Sequence, residues 1–168
     1  RRRVAEAGIR FRTLSGKDLT PELLEVVYAL HARTFLQRGN APYLTPAFFA
    51  EIAQRLGDQL MVKLALAGDE PVAAAIFFWS REALYGRYWG ARDDYHSLHF
   101  ECCYHQGIEF CIERGIRRFE PGTQGEHKVS RGFEPQLTWS AHDIVDPRFR
   151  AAIAQFLARE SPAVDAYA

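Results

Sequence analysis

The stretch QLMVKLALAGDEPVAAAIFFWSREALYGRYWG, Gln59 to Gly90, decides the fold. It contains two β-rich runs, Gln59 to Ala67 and Val72 to Ser80, joined by the turn composition Gly68-Asp69-Glu70-Pro71. A third run, Ala83 to Gly90, follows after only Arg81-Glu82. Linked this closely, the three predict an antiparallel meander. Along the third run Tyr85, Arg87 and Trp89 alternate onto one face, with Tyr88 on the other. Aromatic residues in a strand mostly pack. Arg87 is the exception, because a half-buried arginine wants an anionic partner.

Working outward, three helices carry the same start signal. Thr20-Pro21, Thr45-Pro46 and Asp146-Pro147 each place an N-capping side chain before a proline at the first helical position. Leu23, Val27, Leu30 and Thr34 share a face after the first signal, and Gly39 stops the run. Phe49, Ile52 and Leu56 repeat the spacing after the second, closed by Gly57; Phe149, Ile153 and Phe156 do so after the third. Ile9 to Leu14 predicts a short strand, with residues 1–8 as a boundary segment. Beyond the meander, Cys102 to Arg114 predicts a fourth helix ended by Gly115. Its apolar stripe is Tyr104, Ile108 and Cys111, opposite His105, Glu109 and Glu113. Ile116 to Phe119 predicts a short buried strand and Leu137 to Ala141 a last one. A helix crossing from the meander to the next strand implies one parallel pair. The fold class is α/β of the α+β type, a mixed and mostly antiparallel sheet flanked by helices, in a single domain of 168 residues.

Composition narrows the function classes. Lys plus Arg and Asp plus Glu are both 21, so no global basic field points to DNA or an anionic membrane. The longest apolar runs are too short to span a bilayer, and Arg1 to Arg3 lead into no apolar signal segment. Cys102, Cys103 and Cys111 are odd in number and two are adjacent, unlike a secreted disulfide framework. Reduced thiols and a cytoplasmic setting are expected. The chain opens without a methionine, so Arg1 reads as a cut or processed end, and an N-terminal domain of the same protein is expected upstream.

Chemistry concentrates in EPGTQGEHKVSRGFEP, Glu120 to Pro135, which has neither helical nor strand periodicity. Loops of this length inside a compact domain are uncommon and usually functional. Gln124, Glu126, His127, Lys128 and Arg131 cluster around Gly122, Gly125 and Gly132. Glycines let backbone N–H groups approach a ligand, and the polar side chains supply proton transfer and anion contacts. The spacing Gly122-x-x-Gly125-x-x-Lys128 is not a Walker loop, so phosphoryl transfer is a poor fit. A second cluster, His96 to Glu101, closes the meander; read as extended chain, His99 and Glu101 point to one side. Five histidines (His96, His99, His105, His127 and His142) raise the question of a metal, but no H-E-x-x-H or paired C-x-x-C occurs, so none is assigned.

LYGRYWG (Leu84 to Gly90), LHFE (Leu98 to Glu101), EPGTQGEHK (Glu120 to Lys128), RGFEP (Arg131 to Pro135) and TWSAH (Thr138 to His142) resemble a bacterial family. It is the FemAB-like N-acyltransferases of peptidoglycan biosynthesis/recognition, and the likeness runs from about Ile9 to Glu160. The resemblance implies a GNAT-like fold and transfer of an acyl group to a small-molecule or peptide amine. Enzymes of that fold that use acyl-CoA carry [QR]-x-x-G-x-[GA] where the fourth helix begins. Cys102 to Glu109 lacks it, so a charged tRNA joins acyl-CoA as candidate co-substrate, with no cofactor bound tightly.

Amine acylation needs a base, donors for the developing oxyanion and steering of both substrates. Glu126 or His127 is the expected base, with Glu101 as second carboxylate. Lys128, Arg131 and Arg87 would hold carboxylate or phosphate groups, and backbone amides at Gly122 and Gly125 would face the oxyanion. Gln124, His99 and His142 would orient partners. Two rivals are a non-catalytic module that binds a cell-wall peptide or nucleotide, and a metal-dependent hydrolase.

Overall fold

The meander forms as β2 (Leu60–Ala67), β3 (Glu70–Trp79) and β4 (Ala83–Ala91). This computed structural model describes every residue except Thr123, Gln124 and Ala168, and only the backbone at Glu126 and Tyr167. β1 (Ile9–Ser15) pairs antiparallel with β2, from Ile9↔Ala67 to Ser15↔Met61. β5 (Arg118–Glu120) lies parallel to β4, which gives the strand order β1-β2-β3-β4-β5. β2 is buried from Leu60 through Leu66 with no alternation, as expected of a strand covered on both faces. One face packs Met61, Ala65 and Phe77 against Leu98, Cys102 and Phe110; the other packs Val62, Leu64 and Ile76 against Val27, Leu30 and Phe49.

The second of those faces is covered by α2 (Pro21–Leu36) and α3 (Pro46–Leu56). Thr20 Oγ1 accepts from Leu23 N at 3.3 Å and Thr45 Oγ1 from Phe48 N at 3.2 Å, caps worth about 1 kcal/mol each. Residues 1–8 are more than a boundary: α1 (Arg2–Glu6) buries Val4 in the core. The fourth helix starts at Leu98 rather than Cys102. It runs as α4 (Leu98–Phe100), a π-helical turn over Glu101–His105, and α5 (Gln106–Arg114). The wider turn rephases the stripe, so Gln106, Gly107 and Phe110 join Tyr104 and Cys111 inside, while Ile108 is only half-buried.

The described chain divides into two compact units, Arg1–Thr123 and Gln124–Ala168. In the second, Glu126–Arg131 forms a 3₁₀ helix inside the segment read as structureless. No strand forms over Leu137–Ala141. Alternation is a local property, whereas a strand exists only through a partner ladder, and none is offered there. The last helix, α6 (Pro147–Tyr167), begins as predicted, with Asp146 Oδ1 accepting from Arg148 N at 2.8 Å and Phe149 N at 3.1 Å.

His31 on α2 is 2% exposed, ringed by Tyr28, Phe35, Phe49 and Tyr88. Neither ring nitrogen has a hydrogen-bond partner among the described residues. Burial pushes its pKa down, so the folded state holds the ring neutral. The unfolded chain takes up a proton below about pH 6.5 that the folded one refuses. Stability from this site is therefore complete above that pH and lost as pH falls, at about 1.4 kcal/mol per unit separating the two pKa values. His31→Leu is expected to flatten the fall in Tm between about pH 7 and pH 5, measured by thermal unfolding.

Candidate functional site

The β3–β4 ladder matches Ile76 to Tyr88 and then Phe77 to Gly86, leaving Arg87 as the extra residue of a β-bulge. The bulge breaks the alternation predicted for this strand. Leu84 and Trp89 lie five apart yet pack toward the same core, while Tyr88 turns to the other. Tyr85, Arg87 and Trp89 therefore do not share a face. Among the described residues the pairing of β4 with β5 ends at Tyr85↔Glu120, with Gly86 still against Glu120 and Pro121, and Arg87 to Ala91 run on without a ladder partner from β5. The two strands part where the bulge sits.

That parting opens a cleft of about 140 Å³. β4 contributes Gly86 to Trp89, the α4 and π-turn wall contributes His99, Cys103 and Tyr104, and Pro121 closes it behind β5. Among the described residues no acidic side chain lines it. His99 sits edge-on to Trp89 at 5.3 Å and to Tyr104 at 5.6 Å between ring centroids. Arg87 is exposed rather than half-buried. Its guanidinium lies 4.9 Å from the Tyr88 ring centre, and Nη2 donates to Tyr43 Oη at 3.5 Å. The Tyr43 and Tyr88 hydroxyls are 2.8 Å apart; burial first, then that hydrogen bond, raises the Tyr88 pKa and keeps the phenol protonated. Among the described residues no carboxylate forms an ion pair with Arg87.

Glu101 lies away from the cleft. The extended reading that put it beside His99 fails because both are helical, and residues two apart on a helix are turned by about 200°. Its carboxylate is 4% exposed, accepting from Gln106 Nε2 at 2.9 Å and Arg1 Nε at 3.2 Å. The three cysteines also separate. Cys102 is buried with its thiol pKa pushed well up by desolvation, Cys111 is pushed up to about 11, and half-buried Cys103 faces the cleft.

Of the loop residues, Gly122 follows β5 in the first unit at φ +98°, and Gly125 opens the second unit's 3₁₀ helix at φ +115°. A Cβ on Gly125 would lie 2.4 Å from His127 Cε1, so the His127 ring packs against bare glycine. Arg131 Nη1 and Ser130 Oγ both donate to the His127 carbonyl, at 2.5 and 2.9 Å. Lys128 N donates to Gly125 O at 2.9 Å, and His142 Nε2 is 3.0 Å from Ser140 Oγ. The second unit thus carries His127, Lys128, Arg131 and His142, while the cleft carries Arg87 and His99. Gln124 and the Glu126 side chain lie outside the described residues. Among the described residues no three His, Cys, Asp or Glu side chains converge as a metal site, and no helix is long and apolar enough to cross a membrane.

A family model described as peptidoglycan biosynthesis/recognition, the FemAB-like family, matches residues 1–168. The chain belongs to the FemAB-like family. No curated protein matches it. Solved structures do. One described as a possible acetyltransferase from Clostridium difficile 630 is 10% identical, covering 82% of this chain and 99% of its own at TM-score 0.60. A predicted acetyltransferase from Clostridium acetobutylicum, with acetyl-CoA, is 11% identical over 80% and 96% at TM-score 0.59. An aminoglycoside N-acetyltransferase in complex with CoA is 13% identical over 82% and 95% at TM-score 0.55. Identities this low establish a shared fold: this FemAB-like chain is built on the GNAT acetyltransferase architecture.

Cys103, Tyr104, Tyr43 and Tyr88 were not singled out as site residues in the sequence. A signal for the bulge was present in Gly86, since a glycine inside a strand often marks one.

Proposed function

We propose that this FemAB-like chain transfers an acyl group to an amine, and that donor and acceptor meet in the cleft beside Arg87. The observation that carries this is the parting of β4 from β5 at the bulge. Backbone groups of a strand seek partners, and past Gly86 the β4 edge has no ladder partner from β5 among the described residues. An acyl carbonyl laid along that edge finds N–H donors already in place for its developing oxyanion. The amine nitrogen bonds to the carbonyl carbon, the C–S or C–O bond to the carrier breaks, and the carrier leaves as thiol or alcohol. The amine's surplus proton goes to a base.

Read from the sequence, His127 and Glu126 are proposed for a base and the Gly122 and Gly125 amides for oxyanion donors. Lys128 and Arg131 would steer anionic groups, and Gln124 and His142 would orient a partner; His99 would do so within the first unit, where it lines the cleft. Glu101 is the weaker candidate, because its carboxylate is buried and already hydrogen-bonded. Acyl-CoA as donor draws support from neighbours of this fold that hold acetyl-CoA or CoA. Against the usual pose, the turn before α4 reads Arg92-Asp93-Asp94-Tyr95-His96-Ser97, with two carboxylates and no glycine where a pyrophosphate would rest. An aminoacyl-tRNA donor therefore stays in the reading, and the family's description favours a cell-wall peptide amine as acceptor.

The test is an acyl-transfer assay pairing acetyl-CoA and aminoacyl-tRNA donors with a muropeptide amine. Muropeptide binding with no transfer from either donor would overturn the reading in favour of a recognition module. Arg87→Gln is expected to raise KM for a carboxylate-bearing acceptor about tenfold or more, the worth of one charge-assisted hydrogen bond, and to change kcat far less. Steady-state kinetics against the matching carboxamide checks this, since that acceptor should be indifferent to the substitution.

A further inference from the structure

We infer that Lys63 is a positioning residue for the cleft: through Gln106 and Glu101 it holds the π-turn that sets His99, Cys103 and Tyr104 in the cleft wall. Lys63 sits in the middle of β2, 6% exposed, in an otherwise apolar run. Its Nζ donates to Thr13 Oγ1 at 2.8 Å and reaches Gln106 Oε1 at 3.5 Å. The Gln106 amide then points its NH2 at two carboxylates, Glu101 Oε1 at 2.9 Å and Glu109 Oε2 at 3.2 Å. An ammonium oxygen-bound on one side and carboxylates on the other leave that amide a single sensible orientation. The chain Thr13–Lys63–Gln106–Glu101 thus ties β1 and β2 to the first residue of the π-turn and the residue that follows it.

The tie depends on the turn and the turn on the tie. Residues five apart on an α-helix are rotated by about 140°, so Glu101 and Gln106 would face different ways. A π-turn closes i→i+5 and brings them to one side. It also shifts every earlier residue of the helix by about 100° relative to α5. α5 itself cannot turn to compensate, because Gly107 lies where a Cβ would be 2.6 Å from the Phe119 ring. If the turn relaxed to α-helix, other side chains would replace His99, Cys103 and Tyr104 in the wall. A buried cation in a sheet core is a poor source of stability, and an apolar residue of similar length would pack as well. Its placement makes sense as a device that selects one helical register. Burial pulls the Lys63 pKa down, opposed by Glu113 and Glu109.

The inference concerns the cleft's shape and needs no acyl transfer, so its test fails or succeeds separately from the proposed reaction. The rate of N-ethylmaleimide addition to Cys103 is measured on the full chain by peptide mass spectrometry, well below each variant's Tm. Cys103→Ser serves as the site control. Lys63→Met and Gln106→Leu are each expected to change the Cys103 rate about tenfold or more. Buried Cys102 and Cys111 are expected to stay protected, and the double variant to match the singles rather than add to them. Should Lys63→Met not fold, Gln106→Leu and Thr13→Val carry the comparison, each removing one contact. An unchanged Cys103 rate overturns the inference, as do additive effects or all three cysteines becoming reactive together.

Discussion

Alanine in place of Gly90 is expected to abolish the native fold. A Cβ there would lie 1.9 Å from the carbonyl oxygen of Leu30, 2.3 Å from its carbon and 2.8 Å from His31 N. All three are backbone atoms of α2, so no rotamer change relieves the clash. The helix must lift from β4, breaking the bond from Thr34 Oγ1 to Trp89 O at 2.9 Å and opening the core of Val27, Leu30, Val62 and Leu64. Ordinary overpacking costs about 1–3 kcal/mol. Displacing a whole helix exceeds that and approaches the roughly 5–15 kcal/mol by which a domain is stable at all. Urea unfolding followed by circular dichroism checks the outcome against Gly68→Ala. That glycine sits at φ +63° with nothing near its Cβ position, and its loss should cost only about 1–2 kcal/mol. A cooperative Gly90→Ala transition within about 1 kcal/mol of the parent would show that α2 does not rest on β4 as described.

The second large effect is expected at the loop. If His127 or Glu126 takes the amine proton, His127→Ala or Glu126→Gln lowers the single-turnover rate by about 10²- to 10⁴-fold, the usual share of general base catalysis. Gly125→Ala separates the presence of the imidazole from its placement. The added methyl would collide with the His127 ring at 2.4 Å and strain a backbone at φ +115°, so the ring must move while its chemistry stays intact. A loss comparable to that of His127→Ala is expected. Unchanged rates in both His127→Ala and Glu126→Gln, with thermal stability preserved, would remove the pair from the reaction. A loss confined to Gly125→Ala would point instead to the backbone of the loop.

What was legible beforehand follows from how each signal is encoded. The threonine-proline helix starts and the hairpin are local chemistry, satisfied by atoms within a few residues, and the structure has them, with the turn shortened to Gly68-Asp69 because Glu70 and Pro71 pair within β3. The parallel β4–β5 pair followed from a helix lying between two strands. The misreadings share a cause. Leu137–Ala141 alternates like a strand yet no ladder receives it, and strict alternation along β4 was undone by one unmatched residue. The helical wall was phased from Cys102 at 3.6 residues per turn, whereas it begins at Leu98 and carries a wider turn. Glu101, read as extended chain beside His99, is helical instead, with its carboxylate buried against Gln106 and Arg1.

The amino-acid sequence alone determined the proline-started helices, the meander at the centre, the parallel crossover that follows it, and the family motifs from Leu84 to His142. Those depend on capping, turn formation and hydrophobic period, all short-range. Tertiary structure alone decided which side chains meet: the Arg87 bulge, the parting of β4 from β5, and the burial of Lys63, Gln106 and Glu101 in one network. A bulge and a π-turn each insert a single residue into a regular repeat. Such an insertion is selected by what packs across from it, which no window along the chain contains.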